Sequence, residues 1–260
     1  MGSKKEPTLT RLRAREIIHS LKIKHPHEIS IEDIAWTQGM LVREDSLEGS
    51  DGRLIIQGQR GIVTVKKNIP EPGRKRFVAA HELGHFEMHK NQNTVTSCSD
   101  RDMLFWQHAH NEEAEANDFA VEILMPEDLF KPRCDKKKPT INFIEELSDE
   151  FQTTLTATAL RYIEFTPERC ALIVSEDKKI KWFRITEDFG FWLERGSKLD
   201  PDSYAYNFFS GEDIPTEPQK VLATAWLTNK KLWCYQIQEH SKPLPRYNSV
   251  LTLLWIYQDM

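Results

Sequence analysis

His81-Glu82-Leu83-Gly84-His85 is an H-E-x-x-H pattern set in a run of helical periodicity. Four residues make slightly more than one helical turn, so both imidazoles project from one face and can grip one cation. Neutral imidazole is a natural zinc ligand at about 2.0–2.1 Å, and a catalytic zinc needs three protein ligands plus one open position. Glu82 is placed to take a proton from a water at that open position and return it to a leaving amine. With nine histidines in 260 residues, chance alone yields such a pattern in roughly three chains per hundred. An amphipathic helix carrying two histidines on a polar face is the plain alternative.

Downstream, Glu112-Glu113-Ala114-Glu115-Ala116-Asn117-Asp118-Phe119-Ala120 opens a second helix, with Ala116, Phe119, Ala120, Ile123 and Leu124 as its buried stripe. Glu113 and Asn117 lie one turn apart on a shared face. There a carboxylate can complete a metal site while an amide one turn on orients a ligand imidazole from outside the ligand set. Glu112 and Glu115 read as a solvated acidic first turn favoured by the helix dipole. His89, one turn beyond His85, could orient a ligand, contact substrate or simply face solvent. Two histidines and a glutamate already leave the open position, so it is placed outside the ligand set. His108 and His110, just before the second helix, are candidates to line the cleft or ordinary loop residues.

The elements that must carry these residues follow from periodicity. Leu12, Ile17, Ile18 and Leu21 mark an amphipathic helix from about 9 to 24, and Ser30 is the expected N-cap of a short helix that follows. Arg53–Ile56 and Ile62–Val65 flank Gly58-Gln59-Arg60-Gly61, which predicts a hairpin. Pro70 and Pro72 introduce the metal-binding helix, from about 74 to 90. A polar, turn-rich segment through Ser97–Asp100 separates it from the second helix, which Pro126 stops. Two further helices are expected at about 141–151 and 154–163. From Cys170 the chain becomes β-rich and aromatic, with strands expected at Cys170–Val174 and Ile180–Ile185, and further β-rich runs at Leu222–Leu227, Leu232–Ile237 and Val250–Tyr257.

Arg76 to His85, then Glu113-x-x-x-Asn117-x-Phe119-Ala120 and Ile123-Leu124-Met125-Pro126, closely resemble the ImmA/IrrE family of metallopeptidases. The resemblance spans about residues 8 to 165. It implies an α+β fold: a zincin-like, gluzincin-like metallopeptidase domain over 1–165, followed over 166–260 by a smaller β-rich or α+β domain, a candidate sensory or substrate-docking module. It further implies His81, His85 and Glu113 as metal ligands, Glu82 as general base, and Asn117 in a structural or ligand-orienting role. Glu115 also matches a frequent family glutamate, but it points about 200° away from Glu113 on an ideal helix, and Glu113 is the one chosen. The implied cofactor is Zn2+, with Mn2+ as the alternative. The implied activity is limited intracellular proteolysis of a helix-turn-helix transcriptional repressor in stress-response or mobile-element control. Many relatives carry their own N-terminal helix-turn-helix segment; none is legible here, so the repressor is expected to be a separate protein. The rival reading is a non-catalytic module that sequesters a repressor or antitoxin, although pure scaffolding has no need of Glu82. An extended substrate is expected to add a strand beside Ile62, Val63 and Val65. His89, Arg161 and Tyr162 are weak candidates for the oxyanion partner.

Composition sets the outer bounds. A hydrophobic fraction of 39% and a charged fraction of 29% suit a soluble globular chain. A net charge of −5 gives no long-range attraction to nucleic acid, so no direct nucleic-acid binding is expected, and the Lys136–Lys138 run reads as a solvated loop. No apolar run approaches the roughly 20 residues that cross a bilayer, and the start lacks a signal-peptide core, so a cytoplasmic protein without membrane contact is expected. Cys98, Cys134, Cys170 and Cys234 are widely spaced, which predicts reduced and mostly buried thiols rather than a disulfide framework.

Overall fold

The computed structural model describes residues 7–90, 93–98, 112–135, 137–228 and 232–257. The fold is α+β, as expected, and forms two compact units. One comprises residues up to Phe130 together with Ser148–Thr154; the other comprises Lys131–Leu147 and everything from Leu155 on. The units therefore interleave in sequence rather than dividing at residue 165.

The first unit begins with α1 (Leu9–Ser20) and α2 (Ile31–Thr37). Thr8 and Ser30 cap them, each side-chain oxygen accepting a backbone N–H of the first turn. Strands β1 (Met40–Asp45), β2 (Gly52–Gln57), β3 (Arg60–Lys66) and β4 (Thr94–Cys98) form one sheet in the order β1-β3-β2-β4. β2 and β3 are the expected hairpin, and Gly58 takes the left-handed conformation (φ +59°) that its two-residue turn requires. In β2 burial alternates strictly, Leu54 and Ile56 facing inward and Arg53 and Ile55 outward.

Onto the inner face packs α3 (Pro72–His89), and α4 (Glu112–Leu124) packs against α3. Val78, Ala79, Ala80, Leu83 and Phe86 of α3 join Leu54, Ile56, Val63 and Val65 of the sheet and Phe119 and Ala120 of α4 in one core. Each fully buried side chain of Leu or Phe size contributes about 1.5–3 kcal/mol, so this core fixes the two helices that bear the polar cluster. β1 and β4 went unrecognised in the sequence. β4 lies where a turn-rich segment is expected, and β1 precedes the hairpin without a clear alternation of burial.

The second unit holds α7 (Leu155–Phe165), α8 (Tyr204–Ser210) and a five-stranded antiparallel sheet. Its strands are β5 (Arg169–Glu176), β6 (Lys179–Ile185), β7 (Gln219–Leu222), β8 (Gln236–Leu244) and β9 (Ser249–Ile256), in the order β6-β5-β9-β8-β7. Helices α5 (Glu127–Cys134) and α6 (Ile141–Phe151) contribute residues to both units. The β-rich C-terminal expectation holds, although Leu232–Tyr235 precedes β8 rather than forming part of it. No helix among the described residues is long and apolar enough to cross a membrane.

Candidate metal centre

Close helix packing brings the site together. A Cβ added at Gly84 would lie 3.0 Å from Ala116 Cα and 3.2 Å from its carbonyl oxygen, so α3 and α4 touch almost backbone to backbone at this point. Around this contact His81 and His85 both face Glu113, and His81 also meets Asn117. α1 ties both helices down. Arg13 Nε donates to Glu87 of α3 at 2.9 Å, Arg11 Nη2 to Asp118 of α4 at 3.0 Å, and Arg15 Nε to the fully buried Glu122 at 3.0 Å.

Two imidazole nitrogens and both oxygens of one carboxylate converge, Oε2 of Glu113 facing His81 and Oε1 facing His85. His81 Nε2 and His85 Nε2 are 3.1 Å apart, and the Glu113 carboxylate oxygens lie 3.2 Å from the first and 3.3 Å from the second. Ligands held tetrahedrally at about 2.0–2.1 Å from one ion stand about 3.3–3.4 Å from each other, so the arrangement suits a single small cation. Facing the two imidazoles, first His81 and then His85, holds the Glu113 carboxyl well below the ordinary carboxylate range. It is therefore an anion poised for a cation. Among the described residues these three form the one His/Cys/Asp/Glu cluster that could hold a metal.

Asn117 Oδ1 accepts from His81 Nδ1–H at 2.9 Å. This bond orients the His81 ring so that its Nε2 faces Glu113. Both histidines and Asn117 are buried, Glu113 is half-exposed and Glu115 is exposed. Glu82, the residue after His81, is fully buried, and its carboxylate abuts Gly52 of β2. His89 stacks on His85 with its ring centroid 6.1 Å away, and its Nε2 lies 3.3 Å from Glu112 rather than at the convergent atoms.

Two expectations need correction. β3 is hydrogen-bonded on both sides, to β1 and to β2, so no strand can add beside Ile62, Val63 and Val65. Val63 and Val65 are core residues, and only Ile62 looks outward. The sheet's edges are β1 and β4. Arg161 and Tyr162 are fully buried within the second unit, the first paired with Glu164 and the second accepting from Thr166 Oγ1, so neither presents a group to substrate. His108 and His110 lie outside the described residues.

The site and fold define an α+β protein whose H-E-x-x-H helix and following Glu-x-x-x-Asn helix build a His-His-Glu metal-type cluster. Residues 35–162 match the family model described as the IrrE N-terminal-like domain, Peptidase M78. That match agrees with the resemblance of the sequence to the ImmA/IrrE family. A solved structure described as a Mycobacterium tuberculosis transcriptional regulator is similar in fold, with a TM-score of 0.60 at 14% identity, over 95% of this chain and 74% of that one. Comparison with curated proteins gives no match.

Proposed function

We propose that the chain is a zinc-dependent endopeptidase that performs limited proteolysis, with a helix-turn-helix transcriptional repressor as its substrate. The observation that carries this reading is the convergence of His81 Nε2, His85 Nε2 and Glu113 within 3.3 Å beside the buried Glu82. Zinc is the ion this donor set favours, with manganese the alternative; when bound it supplies Lewis-acid polarisation of the scissile carbonyl.

Glu82 is the general base. It accepts a proton from the attacking water and passes it to the departing amine. Asn117 keeps His81 in the ligating tautomer, and Glu113 offers its negative charge without a competing proton. The substrate backbone adds to the outer edge of β4, which pairs on one side only, with β2, among the described residues. Cys98 at the end of β4 stands opposite Gly52, the β2 residue that abuts Glu82.

The test is incubation of the purified protein, with zinc or manganese, with helix-turn-helix repressors encoded beside it. Discrete fragments that vanish with a chelator and with Glu82→Gln are expected. Tight binding without cleavage, unchanged by Glu82→Gln, would instead establish the sequestering module.

A further inference from the structure

Arg74, Val78 and Glu82 recur every four residues on α3 and so share one face. That face meets two residues at the start of β2. Arg74 donates to Asp51 Oδ2 from Nη2 at 2.7 Å and from Nε at 3.3 Å, and Asp51 is itself buried. The next residue is Gly52. A Cβ there would lie 2.5 Å from Glu82 Oε1, 3.1 Å from Glu82 Cγ and 2.8 Å from Val78 Cγ1.

Gly52 does not need glycine's conformational freedom. It is paired in the sheet with Val65 on one side and Cys98 on the other, in backbone any residue can adopt. What glycine provides is space, and the atom occupying that space is a carboxylate oxygen of the base. Glu82 is fully buried, so a side chain at residue 52 would displace the carboxylate rather than push it harmlessly into solvent.

We propose that Gly52 is the seat of the general base. It is a positioning residue whose bare Cα fixes where the Glu82 carboxylate stands, while the Asp51–Arg74 pair holds that seat against the helix. The proposal rests on the reading of Glu82 as base, and its test includes measurements that do not depend on turnover.

Gly52→Ala, Glu82→Ala and the double variant would be compared in the full chain. Melting of the metal-free proteins is read first. Gly52→Ala is expected to lower the Tm by roughly 3–10 °C, with at least half of that loss recovered when Glu82→Ala removes the obstructing atoms. Chelator competition should then give Gly52→Ala a zinc affinity within about threefold of the parent, because the three ligands and Asn117 are untouched. On a cleavable repressor, kcat should fall at least about tenfold with KM within about twofold. An undiminished Tm loss in the double variant, or zinc affinity lost in step with kcat, would overturn the proposal. Should Gly52→Ala fail to fold, recovery of folding in the double variant supports the seat and continued failure refutes it. A parent protein that cuts nothing would count against the peptidase reading, while the melting and zinc measurements would still judge the seat.

Discussion

The carboxamide oxygen of Asn117 stands 2.9 Å from His81 Nδ1, one helical turn from the carboxylate of Glu113 that faces the other nitrogen of the same ring. One helix thus addresses both nitrogens of an imidazole borne by its neighbour. Asn117→Ala should therefore weaken metal binding about 10–100-fold while leaving all three ligands in place. A chelator-competition titration measures this, and Asn117→Asp, which keeps an acceptor at that position, should lose far less.

The contact of Gly84 with Ala116 sets the separation on which that geometry depends. In an exposed helix Gly→Ala gains about 1 kcal/mol of propensity. Here the added methyl meets backbone at 3.0 Å, and overpacking costs about 1–3 kcal/mol. Gly84→Ala should thus lower thermal stability and loosen metal binding together. A rise in Tm with metal affinity intact would refute the close-approach argument.

Thiol reactivity should divide the cysteines. Burial lifts the Cys134 thiol to about 12 and raises that of Cys170 as well, so neither forms thiolate near neutral pH. Cys234 is exposed. Iodoacetamide at pH 8 should alkylate Cys234 in the native protein and reach Cys134 and Cys170 only on unfolding, as peptide mass mapping will show.

Two adjacent buried groups in β8 give the second unit opposing pH dependences. His240 accepts from the Ile141 N–H at Nδ1 and donates from Nε2 to the Thr216 carbonyl, and burial pushes its pKa below 6.5. The unfolded chain then binds the extra proton, so this contribution is complete above pH 6.5 and is lost as pH falls below it. Glu239, desolvated but bonded to Trp226, Ser241 and the Ala205 N–H, has its pKa raised above 4.5. Its contribution is complete below pH 4.5 and is lost as pH rises through the folded value. Denaturant melts should show stability falling from pH 7 to 5.5, and His240→Gln should flatten that slope.

Much of the site was legible because it is local. H-E-x-x-H on a helix puts His81 and His85 on one face by spacing alone, and Glu113 and Asn117 share a face by the same rule. The hairpin at Gly58 was legible from turn chemistry. What escaped was non-local. Nothing in β3's own residues says that β1 will cover its second edge in parallel, so strand addition at Ile62–Val65 looked open. Likewise Tyr162 and Arg161 look like site chemistry until burial removes them. The space that Gly52 leaves for Glu82 joins residues thirty apart and has no periodic signature.

The most direct measurement is the anomalous scattering of crystals grown with one equivalent of zinc and recorded at the zinc edge. The account predicts one peak bounded by His81 Nε2, His85 Nε2 and the Glu113 carboxylate, at about 2.0–2.2 Å from each, which disappears in Glu113→Ala and persists in Glu82→Gln. A stoichiometric peak elsewhere, or one unmoved by Glu113→Ala, would contradict it.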